Sequence, residues 1–302
     1  YYILLYNFFM IIWLASYPKS GNTWVRTIIN QIIFNDVKST TEVFDNLSRI
    51  RRYPSKTDIV GLPQLPNHNV FTKEQKKEVI DFTIKNWAVS QDKINKNNKT
   101  NILKTHNILC KVKLDGKNYS FADLNNTIGV IHIVRDPRNI VTSVKNHFSI
   151  STEEDSVEML CDNYNWTGFA NNEIPQLLSS WSNHYNSWKR FPNNYLLIKY
   201  EDLVSDISKE IIRIAKYLSN YFEYEFSDKI VDEIKKNTSF ENFKELETKG
   251  KFNENSINEI TGEKNTFFNL GPENNWKKIL KQESIDKIEK EFNKEMKELG
   301  YL

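Results

Sequence analysis

Three short segments of the chain carry residues suited to phosphate and proton chemistry. The first is Tyr17-Pro18-Lys19-Ser20-Gly21-Asn22-Thr23-Trp24, lying between an apolar run (Ile11-Ile12-Trp13-Leu14) and an apolar helical pattern (Val25, Ile28, Ile29, Ile32, Ile33). A loop opening a helix there gathers backbone N–H groups and hydroxyls around one point, and the helix dipole favours a phosphate at it. Lys19 adds a mobile positive charge. The second is the apolar run 128–134 followed by Arg135-Asp136-Pro137-Arg138-Asn139, with Ser143 about two helical turns further on. Asp136 suits a helix cap and Pro137 a first turn. Arg135 then falls at the carboxyl end of a strand, where open α/β sheets bind ligands, and its guanidinium with the Ser143 hydroxyl can clamp a second phosphate. The third is Lys104-Thr105-His106, closing a strand at 101–105. Strand alternation puts Lys104 and His106 on one side, and a His there is suited to take a proton from a hydroxyl. Each segment also has a plainer reading: a strand–helix connection with a stray Lys, a surface ion pair at Arg135, a structural His. His147 reads as a packed or capping residue, and His68, His132 and His184 as structural.

These residues need a sheet to align them. Short apolar runs alternate with helical patterns, which predicts an α/β fold with a central parallel sheet and helices on both faces. Strands are expected at 11–15, 101–105, 128–134 and 195–199, and helices at 22–34, 73–87, 137–148, 175–190 and 206–220. Segments 51–70, 149–174 and 241–272 read as long irregular loops of the kind that form lids or binding walls. Ile285, Ile288, Phe292, Met296 and Leu299 fit one docking helix with Gly300 as its stop. With 302 residues and 39% hydrophobic content, one domain over 10–302 is expected. Residues 1–9 read as an upstream extension, with Met10 just before the first strand.

Composition excludes some functions. A formal net charge of +2 gives no global basic character, so nucleic acid is not an expected partner. The two cysteines, Cys110 and Cys161, form no metal or redox motif and fit a reducing, cytoplasmic setting. The apolar N-terminal stretch is too short to span a membrane once its strand is removed. The first loop is neither a Walker A loop, because Lys precedes the only Gly, nor a dinucleotide fingerprint, because two glycines are missing.

Tyr17–Trp24, Arg135 with Ser143, and Lys104-Thr105-His106 together resemble the sulfotransferase family, whose donor is PAPS (3′-phosphoadenosine 5′-phosphosulfate). The resemblance covers about residues 10–300 and implies a P-loop-like α/β fold. It assigns Lys19, Ser20, Gly21, Asn22, Thr23 and Trp24 to the phosphosulfate end, and Arg135 and Ser143 to the 3′-phosphate. It makes His106 the general base and Lys104 a contact of the phosphosulfate. Trp24 and Phe240 become the faces of an adenine sandwich, with Tyr200 and Thr238 nearby; core packing is the competing reading for both rings. No metal is required. The chain departs from the family at Asn269-Leu270-Gly271-Pro272-Glu273-Asn274-Asn275-Trp276, where Gly271 and Trp276 keep register but an expected Arg-Lys pair is missing. Arg138, Lys277 or Lys278 is expected to compensate. The acceptor is an alcohol, phenol, amine, glycan or lipid, and Trp166, Phe169 and Trp181 are expected to shape its pocket. The oligomeric state is open. A PAP- or PAPS-binding module without catalysis and a P-loop nucleotide kinase are the alternatives.

Overall fold

Four parallel strands form the central sheet, in the order Asn101–Thr105, Ile11–Ser16, Thr127–Val134, Tyr195–Lys199. The computed structural model describes residues 10–34, 40–61, 72–96, 99–169, 173–192, 194–258 and 261–302. The extension at 1–9, His68 and the second half of the 51–70 loop lie outside them. In chain order the elements are β1 (Ile11–Ser16), α1 (Asn22–Phe34), α2 (Lys73–Asn95), β2 (Asn101–Thr105), β3 (Lys111–Leu114), β4 (Lys117–Ser120), β5 (Thr127–Val134), α3 (Pro137–His147), α4 (Glu153–Cys161), β6 (Trp166–Thr167), β7 (Gln176–Leu177), α5 (Trp181–Lys189), β8 (Tyr195–Lys199), α6 (Tyr200–Ser205), α7 (Ile207–Leu218), α8 (Asp228–Asn237), α9 (Phe240–Thr248), α10 (Trp276–Ile279), α11 (Gln282–Glu291) and α12 (Asn293–Leu299).

Both faces of the sheet are buried, which is why its strands read as continuous apolar runs. On one face Ile12, Leu14, Ile131 and Ile133 pack on Val25, Ile28, Ile29 and Ile32 of α1 and on Ile211 and Ile214 of α7. On the other, Ile11, Trp13, Ala15 and Val130 meet Tyr53, Trp87, Phe121 and Trp188. Trp13 is the centre of that side, with ring centroids 5.2 Å from Tyr53 and 5.3 Å from Phe121. Each such side chain, fully buried, contributes roughly 1.5–3 kcal/mol. Parallel pairing of Leu14 with Lys104 and with Ile131 sets the strands level. Their carboxyl ends, at Ser16, Thr105, Val134 and Lys199, therefore share one rim of the sheet.

Several expectations need correction. Segment 149–174 contains α4, capped by the Thr152 side chain accepting from the Asp155 N–H, and 241–272 contains most of α9, capped by Ser239. The helix expected at 175–190 starts only at Trp181, because Gln176–Leu177 pairs instead with Trp166–Thr167. The C-terminal helix breaks at Phe292 into α11 and α12. Its expected stop holds: Gly300 takes the left-handed cap at φ 74°. Asp136 caps α3 through the Arg138 N–H, with Pro137 in the first turn, as expected.

Candidate active site

A cavity of 720 Å³ opens on that rim, and of the residues expected to contact the donor or act as base all except Ser20 line it. Ser20 is fully buried, and its Oγ has no hydrogen-bond partner. The phosphate loop turns sharply between β1 and α1, with Lys19 at φ 65° and Gly21 at φ 104°. A left-handed Lys is a strained position for a β-carbon residue. Gly21 is needed twice over: a Cβ there would also come within 2.9 Å of the Tyr200 ring. Asn22 Nδ2 donates to Ser16 Oγ at 3.1 Å and pins the loop to β1, while its Oδ1 is buried without a partner.

Tyr200 joins the two phosphate segments. The Arg135 guanidinium lies 3.9 Å from its ring centroid, and Trp24 meets it edge-on at 5.7 Å. Arg135 donates through Nη1 to the Lys19 carbonyl at 3.0 Å and to Ser143 Oγ at 3.4 Å. Arg135 and Ser143 are thus brought together and tied to the first loop, while Arg135 Nε is buried without a partner. Gly271, at φ 53°, lies under Phe240, where a Cβ would come within 2.3 Å of the ring. Phe240 and Trp24 both border the cluster of Phe44, Phe243, Phe252 and Phe268. Thr238 is in place, but its hydroxyl is spent on the Ile234 carbonyl at 2.8 Å.

Cations crowd this part of the cavity. Lys19 Nζ is buried with no hydrogen bond and sits 3.4 Å from the Phe267 ring centroid. Burial, then the charges of Arg135 and Lys104, pull its pKa down to about 7. Lys104 is lowered to about 8, chiefly by burial and against the pull of Glu254, whose Oε2 lies 3.8 Å away. Glu254 also takes a 2.5 Å ion pair from Arg26. The loop bearing Glu254 and Phe267 is held on α9 by Glu247, whose carboxylate accepts from the Phe268 N–H at 2.9 Å.

His106 is oriented by backbone. Its Nδ1 lies 2.7 Å from the Ser16 carbonyl. A carbonyl only accepts, so Nδ1 carries the proton and the lone pair sits on Nε2. Its own N–H donates to Gln176 Oε1 at 2.7 Å. Burial first, then Lys104, holds its pKa well below the usual imidazole value, with the Ser16 carbonyl opposing. The ring is therefore neutral and able to accept a proton through Nε2.

Some expected roles fail. Arg138 is locked in place by Asp136 at 2.7 Å, Glu289 at 2.5 Å and the Tyr301 carbonyl at 2.7 Å. Lys277 and Lys278 are exposed, and none of the three lines the cavity. Asn274 occupies that side instead, donating to the Asn139 carbonyl at 2.7 Å and to Ser143 Oγ at 3.4 Å. Trp181 and Trp166 belong to the apolar clusters under the sheet, and neither they nor Phe169 line the cavity; Thr167, Gly168 and Glu173 do. His147, expected as a packing residue, is a cavity wall, its pKa lowered to about 3 by burial and then by Lys19 and Lys104. Its position one turn after Ser143 on the same helix face was the available signal. His132 and His184 are buried as expected, His132 Nδ1 lying 2.8 Å from Tyr195 Oη. Among the described residues no group of three or more His, Cys, Asp or Glu side chains is placed to hold a metal ion. Among them also, no helix is long and apolar enough to cross a membrane.

Known proteins share this fold. A family model described as the sulfotransferase domain matches residues 11–300. The chain is 23% identical to the amine sulfotransferase of Oryctolagus cuniculus, over 95% of its own length and 81% of that protein's. It is 25% identical to sulfotransferase 1E1 of Homo sapiens, over 94% and 83%. Its fold is similar to that of retinol dehydratase solved with androsterone and the inactive cofactor PAP, with a TM-score of 0.57, 19% identity and coverage of 95% and 80%. It is also similar to mouse sulfotransferase SULT7A1 complexed with PAP, with a TM-score of 0.53, 17% identity and coverage of 95% and 84%. With the family model spanning the strands, the phosphate loop and the C-terminal helices alike, the chain belongs to the sulfotransferase domain family.

Proposed function

We propose that the protein moves the sulfuryl group of PAPS to a hydroxyl or amine of an acceptor, leaving PAP. The observation that carries this is convergence: Lys19, Lys104, Arg135, Ser143 and His106 come from separate segments and line one cavity. The residues present fit the donor. Lys19 Nζ and Arg135 Nε are buried donors without partners, as an anion site requires. Trp24 and Phe240 offer ring faces to a base, and such stacking is worth roughly 1–3 kcal/mol. PAP in the structures of similar proteins supports the same nucleotide.

PAPS supplies an activated sulfuryl group, and the chain's residues supply position and charge. Arg135 and Ser143 would hold the 3′-phosphate, and the loop N–H groups with Lys19 the phosphosulfate. His106 Nε2 would take the proton of the attacking hydroxyl. Lys19 and Lys104 would neutralise the charge that spreads over the transferring group and the departing phosphate. Incubation with PAPS and pools of phenols, sterols, glycans, lipids and amines tests the proposal. PAP release together with an acceptor heavier by one sulfuryl group supports it. ATP turnover that depends on magnesium, or nucleotide binding with no transfer over all pools, refutes it.

A further inference from the structure

The part of the cavity around His106 and Lys104 is walled by charged and amide side chains. Arg52 pairs with Lys104 in a parallel bridge, which places it beside the strand that ends at His106. Its Nη2 donates to the Ile174 carbonyl at 3.1 Å, and it forms an ion pair with Glu173. Gln176, only 1% exposed, holds the His106 amide through Oε1. Asn253, Asn255, Ser48 and Thr167 extend this polar lining.

Beside Arg52 and Gln176 the buried side-chain groups without partners are donors, while Asn22 Oδ1 on the loop side of the cavity is an acceptor without one. Arg52 Nε, Arg26 Nε and Gln176 Nε2 are buried donors with no partner. The carboxylates are already engaged: Glu173 by Arg52, Glu254 by Arg26 and Lys104. Arg51 is matched by Asp58 through two bonds of 2.6 Å. The surplus is therefore donor hydrogens and positive charge, which an anion with further acceptor oxygens complements. A cationic amine or a bare hydrocarbon leaves those donors unpaired.

We propose that the acceptor is a hydroxyl-bearing carboxylate of the sugar-acid class, its carboxylate held by Arg52 and Gln176 while a neighbouring hydroxyl meets His106 Nε2. The proposal rests on the sulfuryl-transfer reading above. It also gives Arg52 and Lys104 a further effect: both lower the basicity of His106, and an anion between them relieves that repulsion when the right acceptor is bound.

A matched pair of probes tests it: 4-nitrophenyl β-D-glucuronide and 4-nitrophenyl β-D-glucoside, titrated by calorimetry into the PAP-loaded protein and assayed for PAP release with PAPS. The glucuronide is expected to bind and react better by about tenfold or more, the size of one charge-assisted bond. Arg52→Gln is expected to bring that preference down to about twofold. Gln176→Glu keeps an acceptor for the His106 amide and replaces the free donor with a charge, so the preference should invert while the fold, followed by thermal melting, persists. Equal or better binding of the glucoside overturns the proposal. Turnover of 4-nitrophenol or the glucoside without a preference for the acid refutes the acceptor class and leaves sulfuryl transfer standing. Selective glucuronide binding without any PAP release leaves the pocket standing and refutes transfer.

Discussion

Raising the pH from 7 to 9 is expected to weaken PAP binding, and Lys19 sets the size of the effect. Its amine has no hydrogen-bond partner and faces the Phe267 ring. Burial, Arg135 and Lys104 bring it from an ordinary 10.5 to about 7. A phosphate against Nζ restores the ammonium, so binding above pH 7 must take up a proton. The charged fraction in the free protein falls from about one half at pH 7 to about 1% at pH 9, which weakens binding about 50-fold, or about 2.3 kcal/mol. Lys104, at about 8, adds a further loss of about tenfold over the same window. The phosphates of PAP, with second ionisations near pH 6, are already about nine-tenths doubly charged at pH 7 and contribute only a small opposing slope. Calorimetry at pH 8 in two buffers of different protonation enthalpy should report uptake of about 0.9 proton from Lys19 and about 0.5 from Lys104. Lys19→Met should remove the larger share. Stability of the free protein runs the other way. The unfolded chain keeps Lys19 protonated to about 10.5 while the folded chain releases the proton near 7, so folding stability rises with pH between those values. PAP affinity that is flat from pH 7 to 9, with no proton uptake, would refute the placement of Lys19 at the anion.

Three further outcomes can be checked with single variants. His106→Ala should lower turnover about 10²–10⁴-fold while PAP affinity by calorimetry stays within about twofold, since His106 is assigned to the acceptor proton and not to the nucleotide. Arg135→Ala should weaken PAP by about 1.5–3 kcal/mol and narrow its advantage over adenosine 5′-phosphate; Arg138→Gln should leave that advantage unchanged and lower the melting temperature, because Arg138 serves Asp136, Glu289 and the Tyr301 carbonyl. Gly271→Ala, which drives a methyl group toward the Phe240 ring at a positive φ, should cost about 1–3 kcal/mol of PAP affinity or stability, read by calorimetry and thermal melting.

What the sequence made legible is what depends on neighbours in the chain. β1, the phosphate loop and α1 form a contiguous strand–turn–helix, so their apolar periods and Gly21 specify them together. The Asp136 cap and Pro137 do the same for α3. The features that were not legible are set by partners far along the chain. α4 carries Glu153, Glu154 and Asp155 in its first turn and buries only Ser156, Val157 and Leu160, so its apolar stripe is too thin to stand out. α9 sits in a polar stretch and is held by Ser239 and by burial of Phe243 and Leu246 in an aromatic cluster that the tertiary fold assembles. Not every omission has that excuse. Asp115-Gly116, with φ of 50° and 75°, is a readable hairpin signal for β3 and β4.

The clearest limit of sequence reasoning lies in the charges. Residue types alone make Arg138 as good a partner for the 3′-phosphate as Arg135, since both follow the same strand. The structure separates them through Asp136, which binds the Arg138 side chain on the far side of the turn and leaves Arg135 facing Ser143. Likewise nothing in Thr23-Trp24-Val25-Arg26 announces that Arg26 will meet Glu254 from the far end of the chain. Arg26, Arg52, Lys104, Lys19 and Arg135 line one cavity, where burial and the neighbouring cations lower the basicity of Lys19 and Lys104 and spare donors have no protein partner. Such an arrangement of buried, unpaired donors is costly. It is relieved in two steps under the proposed reaction: the nucleotide's phosphates satisfy Lys19 and Arg135, and an acidic acceptor satisfies Arg52 and Gln176. The second step also strengthens His106 as a base, so proton removal becomes easiest only when both anions are in place.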